Sequence, residues 1–274
     1  MDSALLGNLV LAIGGGVAGA LIFALSAALD GREAGVGMIA AGVLLGAIGL
    51  PAGWYGATHL YLLNHRGFGA SSPQTPQMVS AEKDLERVLK QYYPDDYAKM
   101  RGAVFSFNNG RVRDMAIRLM QRQAPYADDD SMMGVIRIAR DETKEAHDKS
   151  PKQCAETLSG GGLPSEDDDL KAQAVQVFTH YLEQTATDPR SGREQADTTS
   201  LRGRIAKGAM ARLPVDEQEA IKNLNFSGGV THADARGQAA FCDFAIALFD
   251  DLSDRSPHES ATLMRALIAQ SSNR

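Results

Sequence analysis

The chain has 274 residues, 28 basic and 34 acidic side chains, and a formal net charge of −6 at pH 7. A mildly acidic, mixed-sign chain has no electrostatic footprint for nucleic acid, so no nucleic-acid partner is expected. The charge is unevenly spread: only Asp2, Asp30, Arg32, Glu33 and Arg66 precede Ser80. The roughly 195 residues that follow are ample for one hydrophobic core.

Ser3 to Leu29 contains no charged side chain, and Ala34 to Leu63 contains no Asp, Glu, Lys or Arg, with His59 its one histidine. A helix needs about 20 apolar residues to cross a hydrocarbon core of roughly 30 Å, and both runs exceed that. The polar joint Asp30-Gly31-Arg32-Glu33 is so short that the two helices must be antiparallel neighbours. The reading is a transmembrane hairpin over residues 1–63, with spans at about 4–29 and 35–63, partnered by the lipid bilayer. A cleaved signal peptide is not expected, since no basic n-region precedes the first run and that run is too long for an h-region.

Small residues recur at four-residue spacing on both spans. Ala12, Gly16, Ala20, Ala24 and Ala28 share one face of the first helix; Gly42 and Gly46, and Gly49, Gly53 and Ala57, do so on the second. Such faces let helix backbones approach closely, either against each other or against a protein partner or second copy. No carboxylate lies inside either span, which argues against a proton-translocating ring. Trp54, Tyr55 and Tyr61 around His59 read as an interfacial belt, and Pro51 as a kink just before it.

Both termini of such a hairpin face one side of the membrane. Arg32 and Arg66 balance each other under the positive-inside rule, but the first three residues carry no basic charge. The chain has two cysteines, Cys154 and Cys242, an even and sparse count that fits one disulfide in an oxidising compartment. The expected location is therefore a bacterial-type inner membrane, with the water-soluble part on the periplasmic side.

Residues 64–80, rich in Gly, Ser and Pro, read as a flexible linker, and 81–274 as an all-α domain. Ser80 is the expected N-cap of a helix whose stripe is Leu85, Val88, Leu89 and Tyr92; Pro94 interrupts it. A second helix should start at Asp95 and stop at Asn108-Asn109-Gly110. Over Arg111–Gln123, Val112, Met115, Ala116, Leu119 and Met120 form one face. Arg111, Arg118 and Arg122 form the other, a solvated face or one that meets anionic headgroups or an acidic partner.

Asp128 to Asp130 and Ser131 should open a helix carrying Met132, Ile136 and Ala139. Ser150-Pro151 should cap the short helix of Cys154, which Gly160 to Gly162 end. Glu166 to Asp169 precede the stripe Leu170, Ala174, Val177, Phe178 and Tyr181. Both acidic runs suit helix starts better than calcium loops, because they lack the alternating spacing and glycine of such loops. Residues 186–200 read as loose, followed by helices at 201–212 and 215–224, one defined by Phe241, Phe244, Ala245, Leu248 and Leu252, and a last one from Ser256-Pro257 with Met264, Leu267 and Ile268 inward.

No motif for catalysis, cofactor or metal stands out. The histidines at 59, 65, 147, 180, 232 and 258 form no His-x-x-x-His pair, and two cysteines 88 apart lack zinc-ligand spacing. There is no Walker loop, dinucleotide fingerprint or Gly-x-Ser-x-Gly elbow. Glu142, Glu145 and His147, and His180 with Glu183, are expected as helix-face residues in salt links with Lys144 or Lys149. The functional expectation is a membrane-anchored interaction or scaffold module of the cell envelope. The competing expectation makes the small-residue hairpin an oligomeric pore or transport component.

Overall fold

Apolar stripes at helical spacing account for most of the regular elements. The computed structural model describes residues 75–271 apart from the short stretches 106–108, 159–166, 191–197, 225–229 and 231–232. The hairpin, with Ala12, Gly16, Ala20, Ala24, Gly42, Gly46, Gly49 and Gly53, lies outside the described residues, as does most of the linker. Among the described residues the fold is all-α, without strands, and no helix is long and apolar enough to cross a membrane.

The elements are α1 (Pro76–Tyr92), α2 (Pro94–Phe105), α3 (Asn109–Gln123), a 3-10 turn (Ala124–Tyr126), α4 (Asp129–Lys149), α5 (Pro151–Leu158), α6 (Asp168–Thr187), α7 (Thr198–Arg212), α8 (Val215–Asn223), α9 (Ala235–Asp254) and α10 (Pro257–Ser271). Four starts follow the caps expected from sequence. Asp128 Oδ1 accepts from Ser131 N at 2.8 Å, and Asp167 Oδ1 accepts from Asp169 N and Leu170 N at 2.8 and 3.1 Å. Ser150 Oγ accepts from Gln153 N at 3.1 Å, and Ser256 Oγ from Glu259 N at 3.3 Å. Side-chain oxygens thus satisfy amides that have no partner within the helix, and the acidic runs at 128–130 and 167–169 serve helix starts.

Several boundaries differ from expectation: α7 starts at Thr198, inside the stretch read as loose, and α2 at Pro94, and two others matter more. α1 begins at Pro76, with Thr75 Oγ1 accepting from Met78 N at 3.3 Å, so Ser80 is inside a helix rather than its cap. The last residues of the expected linker are helical because proline is compatible with a first turn, where its missing N–H is not needed. Asn109-Gly110 opens α3 instead of ending α2, which stops at Phe105. The Val104-Phe105 pair closes that helix.

The core is one contiguous cluster, with Tyr181, Phe244 and Phe249 among its largest fully buried side chains. α4 and α9 form its hub. α9 packs on α4, α5, α7, α8 and α10, while α4 also meets α5, α6 and α10. α1 lies along α6, and α2 pairs with α3. Two interior phenols find carbonyls: Tyr93 Oη donates to Leu182 O at 2.9 Å, and Tyr181 Oη to Met120 O at 2.7 Å. Burial pushes the Tyr181 phenol well above its ordinary value.

Candidate functional site

One group of chemistry-bearing residues gathers where α4, α5 and α9 meet. Ser150 ends α4 and caps α5, so the chain turns sharply and delivers Cys154 to the flank of α9. There it meets Cys242 at disulfide-bonding distance, with the two Cα atoms 6.1 Å apart. Both cysteines are fully buried, among Ala155, Leu158, Phe241 and Ala245 on the two helices' inward faces. The pair expected from cysteine count is therefore brought together, 88 positions apart in sequence.

On the solvent side of this junction the next residue of α9, Asp243, faces α4. Its Oδ1 lies 3.2 Å from His147 Nε2, and His147 Nδ1 is 4.0 Å from Asp148. Further along the same seam Asp250 Oδ1 takes Lys144 Nζ at 3.1 Å and lies 4.0 Å from Arg140 Nη1. Numbers fall on α4 as they rise on α9, so the two helices run antiparallel with ion pairs bordering their contact. Of the salt links expected here, Glu145–Lys149 forms at 3.0 Å, whereas Lys144 goes to Asp250. His180 is exposed, and Glu183 pairs with Arg87 of α1 at 3.0 Å. Glu217 of α8 is half-buried. Burial and the charges of Asp243 and Asp216 raise its carboxyl above the ordinary range, while His147 pulls the other way.

A second cluster, with no local signature in the sequence, ties α10 to the start of α4. Arg265 is 5 % exposed, and its Nη1 donates to Asp129 Oδ1 at 2.6 Å and to Ala127 O at 3.2 Å. Its Nη2 donates to Thr262 Oγ1 at 3.0 Å, and the other Asp129 oxygen meets His258 Nδ1 at 3.0 Å. Burial alone would raise the Asp129 carboxyl, but the hydrogen bonds from Arg265 and His258 outweigh it and hold the group below its ordinary value. The one available signal was an arginine inside the Met264–Ile268 apolar stripe, where an unpaired charge would be costly.

Of the three arginines read as a face on α3, Arg118 is exposed and Arg122 pairs with Asp96 at 2.6 Å; the Arg111 side chain lies outside the described residues. A cleft of about 400 Å³ lies between α8 and the start of α9, lined by Glu219, Asn223, Leu224, Asp234, Arg236 and Gly237. Among the described residues no group of three or more His, Cys, Asp or Glu is placed to hold a metal ion. Compared with known proteins, the chain matches no family model, no curated protein and no solved structure.

Proposed function

We propose that this chain is a membrane-anchored helical interaction module whose domain works on the oxidising, periplasmic side of an inner membrane. One observation carries the reading: the chain's two cysteines, 88 positions apart, meet inside the domain with both side chains fully buried. A cross-link of that kind persists in oxidising compartments and is rare where thiols are kept reduced. The two charge-free runs supply the anchor, and a hairpin returns the domain to the side of its own N-terminus.

An interaction role follows from how the polar residues are spent. Asp243, Asp250, Asp251, Asp129 and Arg265 are each committed to a neighbouring helix. What the domain offers outward is a set of helical faces at the end of a tether about a dozen residues long, which holds the start of α1 within roughly 40 Å of the bilayer.

The test is thiol accounting in intact cells whose outer barrier has been opened. Denatured, unreduced protein should take up no maleimide, and after reduction it should take up two per chain. Free thiols in protein trapped under acid before lysis would place the domain in a reducing compartment and overturn the reading.

A further inference from the structure

Charge is segregated along the domain. Residues 75–123, which form α1, α2 and α3, carry nine basic and six acidic side chains, a net of +3. Residues 124–274 carry seventeen basic and twenty-five acidic ones, a net of −8. The basic part is the one that follows the tether, and α3 supplies its whole excess, with Arg111, Arg113, Arg118 and Arg122 against Asp114.

Packing gathers part of that charge on one seam. α2 packs on α3, and Arg122 Nη2 of α3 reaches Asp96 Oδ2 of α2 at 2.6 Å. The start of α2 thus meets the end of α3, so the two helices run antiparallel. Lys99 stands three residues after Asp96, and Arg118 four residues before Arg122. Helical spacing therefore stacks both cations one turn above the ion pair, side by side across the seam. Both side chains are exposed, and among the described residues neither meets a carboxylate within ion-pair distance. The seam of α4 and α9 differs, since Lys144 there has Asp250 and His147 has Asp243. Adjacent like charges repel, so the α2–α3 seam is more stable with an anion over it.

Its place in the fold decides which anion can reach it. α2 turns back on α1, where Tyr97 Oη donates to Glu86 Oε1 at 2.8 Å. Glu86 is ten residues from Pro76, about 15 Å along α1 from the end that the tether joins. Lys99 is two residues beyond Tyr97, so the seam lies close to the point of attachment.

We propose that the α2–α3 seam, through Lys99 and Arg118, docks on anionic phospholipid headgroups of the bilayer that anchors the chain. The proposal rests on the membrane-anchor reading. A short tether holds the seam at high local concentration beside the headgroups, so two cations suffice where they would not recruit a free protein. The acidic remainder of the domain is repelled by the same surface, which fixes one orientation and turns α4 to α10 away from the bilayer.

Gly102 is exposed one turn after Lys99, and a Cβ there would meet nothing within 4 Å, so Gly102→Cys accepts a fluorophore without disturbing the packing. The buried Cys154–Cys242 pair does not take the label. The labelled full chain is placed, one copy per disc, in nanodiscs that contain lipids with a nitroxide on the headgroup. Quenching should be severalfold stronger in an equal mixture of phosphatidylcholine and phosphatidylglycerol than in phosphatidylcholine alone, and should weaken as salt rises. Lys99→Gln combined with Arg118→Gln should bring it to the level of the neutral discs and leave the melting temperature unchanged. Equal quenching in the two discs overturns the proposal, as does a double variant that is quenched like the parent. Quenching indifferent to lipid charge, with the label shielded from iodide by added poly-glutamate, assigns the seam to an acidic protein and also overturns it. A chain that stays out of the discs altogether overturns the anchor reading and this proposal with it, so the two failures are told apart.

Discussion

Replacing both cysteines, Cys154→Ala with Cys242→Ala, should lower stability by an amount that chain length sets. The bond joins residues 88 apart, and the loop-closure entropy it removes from the unfolded chain corresponds to about 4.5 kcal/mol. For a domain of roughly 200 residues each kcal/mol moves the melting temperature by about 2–4 °C, so the expected loss is about 9–18 °C. Both side chains are fully buried, so the alanines also leave small voids that the neighbours fill only in part. Far-UV circular dichroism melts of the oxidised wild type, the reduced wild type and the double variant measure this directly. Reduced wild type and double variant should melt close together, well below the oxidised protein. Reduction should also be slow without denaturant, since no reductant reaches a buried sulfur until the α5–α9 contact opens. Coincident melting of the oxidised wild type and the double variant would refute the cross-link as a stabilising element.

Asp129→Ala should cost about 3 kcal/mol, because it takes the carboxylate away from the buried Arg265 guanidinium; urea midpoints measure it. The Asp129 carboxyl lies below its ordinary value in the folded state, so its contribution is present above the unfolded value and lost as pH falls through the folded one. Acid should therefore narrow the gap between wild type and variant, and a gap independent of pH would contradict the pairing. Gly208→Ala should destabilise by about 1–3 kcal/mol, since its Cβ would fall 2.6 Å from Asp251 Oδ1. Asp251 cannot yield freely, being held by Arg255 at 2.8 Å and lying 3.6 Å from Arg212. If Gly208→Ala melts with the wild type, the close approach of α7 to α9 is not as drawn.

Periodicity made most of the helices legible, because burial of one face dictates the spacing of Leu85, Val88 and Leu89, or of Phe241, Phe244, Ala245, Leu248 and Leu252. The cap residues Asp128, Ser150 and Ser256 were equally readable, since a short polar side chain before an apolar run has a local reason to be there. Proline misled in one place. Pro76 looked like part of a tether, yet it is the first residue of α1 behind the Thr75 cap. The disulfide was legible as a count, since two cysteines allow only one pairing. The tertiary ion pairs were not. Asp129–Arg265 spans 136 positions and His147–Asp243 joins α4 to α9, and no periodic pattern encodes which of many surface carboxylates a basic group will meet. Helix amphipathicity specifies that a face is polar, and only the packed arrangement decides its partner.

These pairs acquire a common meaning when placed along α4. That helix has 21 residues, so it is about 31 Å long, and it is fastened at both ends by different chemistry. Its first turn is held to α10 through Asp129 and Arg265, a bond that acid weakens. Its last turn runs through the Ser150 cap into α5, which the Cys154–Cys242 link holds to α9, a bond that a reductant removes. Sites so far apart and without shared partners should contribute independently, with coupling below about 0.5 kcal/mol. The triple variant Asp129→Ala, Cys154→Ala, Cys242→Ala should therefore lose the sum of the two separate losses. A smaller loss would mean that releasing one end of α4 already frees the other. The helix would then act as a lever linking the α10 contact to the α5–α9 junction, and acid at one end and reduction at the other would have interchangeable effects.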